Sequence, residues 1–154
     1  MFRKVFKDES EIQQEEQRFG NDFHLLMSLC HAQIDTESVL LKLLNEGHIE
    51  QKNEIRLREC AHSFWKKMDE GNYLLNIEKS LNEQVVLAGE NDVKKPDKVL
   101  VKSDEIIVID FKTGKINQSH MEQIVAYAKL LEEIFKKPVR CLLYYSALNQ
   151  LTEL

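Results

Sequence analysis

The sequence predicts an α/β (α+β) fold, in which an N-terminal helical segment precedes a mixed central β-sheet flanked by helices. Up to about Gly71, apolar residues recur at the 3.6-residue spacing of amphipathic helices. After Gly71, short β-branched runs alternate with Gly, Pro, Asn and Asp, which is typical of strands and turns. A second helical pattern and a last apolar run follow, and this order of elements favours helices packed on a sheet.

Three helices are predicted in the first half of the chain. The first opens near Gly20, where a polar Gly-Asn-Asp segment precedes an amphipathic pattern. The second is expected to be capped by Thr36 and to end at Gly47, since helices often end with a glycine in the left-handed conformation. The third is expected from about Glu50 to Glu70.

Four strands and one helix are predicted in the second half. The segments 82–89, 96–103 and 105–112 are rich in β-branched residues and form a predicted three-stranded meander. The segment 119–137 returns to helical spacing and stops before a proline, and 139–148 is predicted to be the last strand.

Length and composition indicate one globular domain. The 154 residues are 43% hydrophobic and 31% charged, and a chain of this length buries enough surface for a core. We expect a single domain over 1–154, with its helical part at about 8–70 and its sheet and last helix at about 73–150. No apolar run approaches the roughly 20 residues that span a bilayer, so no membrane partner is expected.

The cysteines indicate the cellular compartment, and the net charge bears on the kind of partner. Three cysteines stand far apart in apolar segments, which is typical of buried thiols in a reducing compartment, so we expect a cytoplasmic protein: Cys30, Cys60 and Cys141. The net charge is −5, which taken alone argues against a nucleic-acid partner.

The most informative segment is the predicted hairpin around the turn at 103–104. If the turn is symmetric, Lys102 faces Glu105, and the numbers of opposed residues add to 207. Asp97 then faces Asp110. Directly opposed side chains have Cβ atoms about 4.5–5.5 Å apart, and two carboxylates at that distance favour a shared proton or a bound cation.

These acids and the nearby Lys112 suggest a metal site. Lys112 lies two residues beyond Asp110 and therefore on the same face of the sheet. Carboxylate oxygens suit Mg²⁺, whose coordination is often completed by a substrate phosphate, and an ammonium group can stabilise charge on that phosphate. The alternative is that Asp97 and Asp110 are polar residues at strand ends and that Lys112 is solvated.

The same residues resemble a known nuclease superfamily. Pro96-Asp97, followed by Asp110-Phe111-Lys112, resembles the PD-(D/E)XK nucleases, and the residues that follow resemble their RecB-type branch. These are Thr113-Gly114 and Gln123-Ile124-Val125-Ala126-Tyr127, together with the upstream Gly20-x-x-x-His24 and Asn82-Glu83. The resemblance covers roughly residues 20–145 and implies a restriction-endonuclease-like core.

The resemblance also implies roles for individual residues. Asp97 and Asp110 would be carboxylate ligands of Mg²⁺ or Mn²⁺, and the backbone carbonyl of Phe111 would be a further ligand. Lys112 would be the catalytic lysine, acting together with the two aspartates. His24 would be a metal ligand contributed by the helical half.

The implied function is a DNA nuclease linked to a helicase. Gln123 and Tyr127, one turn apart on a helix, would line the DNA path beside the metal. The expected activity is phosphodiester hydrolysis in recombination or repair, by an exonuclease rather than an endonuclease, although the residues do not decide between these. The expected partners are DNA and a helicase motor, on the same parent chain or on a separate polypeptide, and the domain itself is expected to be monomeric.

Two features restrict this hypothesis, and two alternatives stay open. An iron–sulfur cluster of the kind found in some RecB-type nucleases needs four cysteines, so none is expected here. The sequence also lacks a glycine-rich phosphate loop, so ATP hydrolysis would belong to the motor. The alternatives are an inactive nuclease-like domain that binds DNA or scaffolds a helicase complex, and a restriction or junction-resolving branch of the superfamily.

Overall fold

The computed structural model describes residues 7–85, 87–88 and 93–154, which form four α-helices and seven strands. The helices are α1 Glu9–Leu29, α2 Thr36–Asn45, α3 Glu54–Glu70 and α4 Gln118–Phe135, and two short 3₁₀ turns occupy Gln33–Asp35 and Gln51–Asn53. The strands are β1 Ile77–Asn82, β2 Leu87–Ala88, β3 Val93–Lys94, β4 Lys98–Lys102, β5 Ile106–Lys112, β6 Val139–Tyr145 and β7 Gln150–Glu153.

The central sheet is mixed, as the sequence predicts. Its five strands lie in the order β1-β4-β5-β6-β7, and β2 and β3 form a separate two-stranded sheet. All neighbours in the central sheet are antiparallel except β5 and β6, which are parallel and are connected through α4. A parallel pair needs such a crossover, and the helix lies between these two strands in sequence.

Helices cover both faces of the sheet. On β5, Ile107 and Ile109 point into the core shared with α1, α2 and α3, whereas Ile106 and Val108 point into the core beneath α4. A central strand that is buried on both faces is apolar throughout rather than alternating, which explains the unbroken run at the start of β5. The resulting fold has three layers, with three helices on one face and one on the other.

The helical part and the sheet meet in a cluster of aromatic rings. The Phe23 ring packs edge-on against Phe111, with centroids 5.6 Å apart, and Phe64 lies 5.2 Å from Phe111 and 5.1 Å from Tyr144. Edge-to-face contacts of this kind are favourable beyond the area that they bury. Helices α1 and α3 are therefore packed directly on β5 and β6.

The first helix begins earlier than predicted. It starts at Glu9, where the Asp8 side chain accepts a hydrogen bond from the Glu11 amide at 2.9 Å, and Gly20 lies inside it. A Cβ added at Gly20 would stand 1.8 Å from Cγ2 of Thr113, in the loop that follows β5. This glycine permits a close approach between helix and loop and does not mark a helix start.

The second helix differs from the prediction only at its start. Thr36 is its first residue, and its hydroxyl accepts a hydrogen bond from the Trp65 indole at 3.0 Å instead of capping the helix. At the other end, Gly47 has the predicted left-handed backbone, with φ of 74°, and the His48 amide bonds back to the Leu43 carbonyl. The third helix starts at Glu54, four residues later than predicted.

The strand predictions need two corrections. The first strand of the central sheet is β1, at 77–82, and not 82–89, of which positions 86 and 89 lie outside the described residues. The last predicted strand ends at Tyr145, and a separate edge strand, β7, follows it after a turn. All three cysteines are free and buried, as predicted. In the described part of the chain, no helix is both long and apolar enough to cross a membrane.

Candidate active site

The β4–β5 hairpin has the predicted register. Lys98 pairs with Ile109, and each further pair up to the turn keeps the same sum of residue numbers. Continuing this register by one residue places Asp97 opposite Asp110. The Asp97 amide donates to Oδ1 of Asp110 at 3.2 Å, and the Phe111 amide donates to Oδ2 of Asp97 at 2.8 Å. The two acids are therefore neighbours across the hairpin.

The hydrogen-bonding pattern brings these two side chains close together. At the turn, the Lys102 amide donates to the Glu105 carbonyl at 3.0 Å, so this closing pair is hydrogen-bonded. Hydrogen-bonded and non-hydrogen-bonded pairs alternate along an antiparallel ladder, which makes Asp97 and Asp110 a non-hydrogen-bonded pair. In such pairs the Cα atoms approach to about 4.5 Å and the side chains are closest.

The carbonyl of Phe111 is directed toward the same place. The N–H and C=O of one strand residue point to the same side, and the Phe111 amide points at Asp97. Extending the register by one more residue would place Pro96 opposite Phe111, and a proline has no N–H to donate to a carbonyl. This arrangement is compatible with the ligand role predicted for the Phe111 carbonyl.

Burial of the two acids separates their protonation behaviour. Burial raises the pKa of Asp110, which is 3% exposed, to about 6, and the charge of Asp97 acts in the same direction. Burial also acts to raise the pKa of Asp97, but hydrogen bonding and the charge of His24 outweigh it, so that pKa lies below its usual value. The cluster thus combines one easily ionised carboxyl group with one that resists ionisation.

His24 contacts the acids across a long distance in sequence. Its Nε2 lies 2.6 Å from Oδ1 of Asp97 and 3.4 Å from Oε1 of Glu83. The hydrogen bond with Asp97 raises the pKa of His24, and burial opposes it. His24 lies well inside α1, whereas the predicted helix start near Gly20 would have placed it close to the beginning of the helix. Gly20, one turn earlier on the same face, allows α1 to run close to the end of β5.

Glu83 is a site residue that the sequence analysis did not propose. It follows β1 with a left-handed backbone, φ 52°, and its amide donates to the Asp97 carbonyl at 3.0 Å. This conformation is uncommon for a residue other than glycine, and here the carboxylate reaches His24. The resemblance had included the Asn82-Glu83 pair, but one acidic residue after a strand does not identify a ligand.

Lys112 is held between the acids and α4. Its Nζ lies 2.9 Å from Oδ2 of Asp110 and donates to Oε1 of Gln123 at 2.6 Å. The lysine side chain is 18% exposed. Two fixed acceptors and limited exposure leave this ammonium group few alternative positions, which is the property required of a group that must meet a substrate in one geometry.

The two residues predicted to line the DNA path have different surroundings. Gln123 is half-buried, contacts Lys112 and borders a cleft of about 480 Å³. The other residues lining that cleft are Lys94, Ser119, His120, Glu122 and Ala126. Tyr127 is 4% exposed and lies in the core beneath α4, so its ring supports this helix in the structure. Its contact with DNA stays a prediction.

The donor set fits a divalent cation. His24, Glu83 and Asp97 each offer one ligand atom, and the three atoms lie within 4.8 Å of one another. Asp110 adds a carboxylate next to Asp97, although Lys112 and the Asp97 amide occupy its oxygens. Carboxylate oxygens suit Mg²⁺ or Mn²⁺, and an imidazole is tolerated better by Mn²⁺. The cluster therefore contains three residues that were predicted as metal ligands, His24, Asp97 and Asp110, and one that was not, Glu83.

The chain has no match among known protein families or curated proteins. No protein-family model matches it, and the comparison with curated proteins finds no similar sequence.

Proposed function

We propose that this protein is a Mg²⁺- or Mn²⁺-dependent deoxyribonuclease. The observation that carries the proposal is the convergence of His24, Asp97, Asp110 and Lys112 at one end of the sheet, although His24 lies 73 residues from Asp97 in the chain. Structural acids rarely face each other in a buried non-hydrogen-bonded pair, because like charges there are destabilising. A cation binding between them would remove that cost.

Each protein residue has a separate part in the proposed reaction. A bound divalent cation would polarise the scissile phosphate and lower the pKa of a water molecule. Asp97 and His24, already 2.6 Å apart, would hold one side of the cation site. Asp110 would hold the other side and at the same time orient the ammonium group of Lys112.

Lys112 would provide positive charge beside the reacting phosphate. The attacking water would lose a proton to solvent as its oxygen bonds to phosphorus, the bond from phosphorus to the leaving sugar oxygen would break with that oxygen taking up a proton, and negative charge would develop on the phosphate oxygens. An ammonium group already fixed by Asp110 and Gln123 can stabilise that charge without reorganising. Gln123, which contacts Lys112, also borders the cleft, and we propose that a DNA strand would approach this lysine along it.

The biological setting that we propose follows from the resemblance to RecB-type nucleases. The domain would act as an exonuclease in recombination or repair, with strands delivered by a helicase motor on the parent chain or on another polypeptide. A free-standing domain tested alone then needs substrates with accessible ends.

The proposal is tested by incubating the protein with linear single- and double-stranded DNA, with Mg²⁺ or Mn²⁺. We expect cleavage that a chelator abolishes and that Asp110→Ala abolishes. Cleavage that survives either treatment would refute the assignment. Binding of Mn²⁺ and DNA by the folded wild-type protein, with no cleavage even of DNA unwound by a helicase, would favour the scaffolding alternative.

His24 allows a more specific test of the metal site. We expect His24→Ala to remain folded and to bind Mn²⁺ more weakly in calorimetry, because one of the clustered donors is removed. His48→Ala is a matched control, since His48 is exposed and its ion pair in the described structure is with its near neighbour Glu46, at 3.3 Å. Equal Mn²⁺ affinities for these two variants would exclude His24 as a ligand.

A further inference from the structure

A buried polar triangle lies next to the candidate site, on the other face of the sheet. Lys98 is 1% exposed, and its Nζ donates to the Cys30 carbonyl at 2.7 Å and to Oδ1 of Asn82 at 2.6 Å. Nδ2 of Asn82 donates to the same Cys30 carbonyl at 2.9 Å. Three short hydrogen bonds thus connect β4, β1 and the end of α1.

Two corners of this triangle are chain neighbours of candidate metal ligands. Lys98 directly follows Asp97, and Asn82 directly precedes Glu83. Adjacent residues in extended chain point to opposite faces, so Lys98 can anchor the backbone of Asp97 without entering the site. The two segments also meet in the backbone, where the Glu83 amide donates to the Asp97 carbonyl at 3.0 Å.

The third corner connects to His24. Cys30 is the C-cap residue of α1, six positions after His24, and its amide bonds to the Met27 carbonyl. The carbonyls in the last turn of a helix lack partners within the helix, and Lys98 and Asn82 satisfy this one. Because α1 is continuous between these positions, fixing its end also restricts the position of His24.

Stability alone does not account for a lysine in this position. Removing an ammonium group from water costs several kcal/mol, and apolar replacements of buried charges are often neutral or stabilising. The surroundings could accept an apolar side chain, because Trp65 lies 5.7 Å from Nζ and Leu100, on the same face of β4, is fully buried. An apolar side chain could not donate the hydrogen bonds by which Lys98 connects the three backbone segments.

We infer that Lys98 is a positioning residue, which together with Asn82 and the Cys30 carbonyl holds His24, Glu83 and Asp97 at cation-binding distance. The inference rests on the proposed function, since it assigns a purpose to the geometry of the same site. His24, Glu83 and Asp97 form the candidate cation group, and each lies on one of the three segments that the triangle joins.

The charge and the hydrogen bonds of Lys98 have opposite effects on cation binding. A positive charge near the site repels a cation, so removing it without moving the ligands would tighten metal binding. Releasing the three segments would weaken metal binding, since partners that orient metal ligands are commonly worth about 10- to 100-fold in affinity. The sign of the change in affinity therefore separates a positioning role from a charge effect.

The test compares Lys98→Met with Lys102→Met, using Mn²⁺ calorimetry on proteins shown to be folded by circular dichroism. Lys102 is a matched control because it lies on the same strand and is 4% exposed, but it pairs with Glu105 at the opposite end of the hairpin. We expect the dissociation constant to rise about tenfold or more in Lys98→Met and to stay within about twofold in Lys102→Met. Asn82→Ala, which removes one acceptor and keeps the lysine, should also weaken Mn²⁺ binding and provides the test if Lys98→Met does not fold.

The outcomes are distinguishable from failure of the proposed function. If the wild-type protein does not bind Mn²⁺, or if Asp97→Asn binds it equally well, the metal site itself is wrong and the inference fails with it. If the wild-type site is sound, unchanged or tighter binding in folded Lys98→Met overturns the positioning role alone. The same holds for unchanged binding in folded Asn82→Ala.

Discussion

The two ends of the β4–β5 hairpin bury charged residues in opposite ways. At the turn, the opposed residues are Lys102 and Glu105, whose charged atoms lie 3.4 Å apart. At the other end, the opposed residues are Asp97 and Asp110, two acids in a non-hydrogen-bonded pair. The strands, the register and the degree of burial are similar, so the sign of the charges is the main difference.

From this difference we propose that the turn end of the hairpin serves stability and that its open end, at Asp97 and Asp110, serves cation binding. Opposite charges across a ladder stabilise a hairpin, whereas facing carboxylates destabilise it until a cation or a proton joins them. In the described structure, Lys112 already provides a positive group at the acidic end, and His24 provides another when its imidazole is protonated. The charges at the turn of the hairpin are therefore paired, and the proposed cation would bind at its open end.

Neutralising one residue at each end gives the largest contrast. Asp110→Asn should lower DNA cleavage by more than about 100-fold, above what loss of an outer partner of a metal ligand costs. Its stability without metal should change little, because a repulsion with Asp97 and an attraction to Lys112 are lost together. Cleavage rates and thermal unfolding, measured on the same preparations, test both statements.

Glu105→Gln is the control at the turn. It removes the partner of Lys102 and should lower stability slightly while leaving cleavage within about twofold of wild type. Equal loss of cleavage in the two variants would mean that the two ends of the hairpin do not differ in function.

Metal should stabilise the protein through the open end alone. At a Mn²⁺ concentration 100 times the dissociation constant, linkage adds about 2.7 kcal/mol to the free energy of unfolding. For a domain of this size, that corresponds to a rise in melting temperature of about 5–10 °C. Asp97→Asn should remove the rise, and Glu105→Gln should retain it. A rise that persists in Asp97→Asn would place the stabilising ion elsewhere.

Local patterns in the sequence were sufficient for β4, β5 and the hairpin register, but they misplaced the first strand of the central sheet and did not predict β7. The register followed from the turn at 103–104, because a two-residue loop fixes every opposed pair along the ladder. The helix starts were less predictable. Gly20 resembles a boundary in sequence, but its role is a close approach to Thr113, a contact between residues 93 positions apart that no local pattern contains.

The same distinction applies to the site. Asp97, Asp110 and Lys112 were found because strand periodicity places them together, and His24 was added by resemblance. Glu83 was missed because its position depends on a left-handed turn and on the packing of β1 against β4. The contribution of Glu83 is determined by tertiary structure. In the sequence alone, this residue cannot be distinguished from many other acidic residues.

Moving α1 should disturb the open end selectively. In Gly20→Ala the new methyl group would stand 1.8 Å from Cγ2 of Thr113, so the helix or the loop must shift. We expect a loss of about 1–3 kcal/mol in stability, as for other overpacked sites, together with weaker Mn²⁺ binding because His24 lies one turn further along the helix. Thermal unfolding and calorimetry are the measurements.

Gly47→Ala provides the comparison for this variant. Its backbone has φ of 74° but open space around the new methyl group, so the cost should be backbone strain of about 1 kcal/mol. Mn²⁺ affinity should not change, because Gly47 lies in the turn after α2 and a methyl group there would meet nothing within 4 Å. An equal effect of both variants on affinity would attribute the Gly20 result to general destabilisation.

The smallest effects are expected from two residues outside the hairpin. Gln123 accepts a hydrogen bond from Lys112 at the open end, and Lys137 donates one to the Lys102 carbonyl at the turn. Gln123→Ala removes an acceptor 2.6 Å from Nζ of Lys112 and should lower cleavage about tenfold, the worth of one charge-assisted hydrogen bond, while Mn²⁺ affinity stays unchanged. At the turn, Lys137→Ala removes a donor 2.7 Å from the Lys102 carbonyl and should leave cleavage within about twofold. Because Lys112 keeps Asp110 as a partner, the loss in Gln123→Ala should be smaller than the loss expected for Asp110→Asn. Weaker Mn²⁺ binding in Gln123→Ala would show instead that this residue supports the metal ligands, and unchanged cleavage would mean that Asp110 alone is sufficient to orient the lysine.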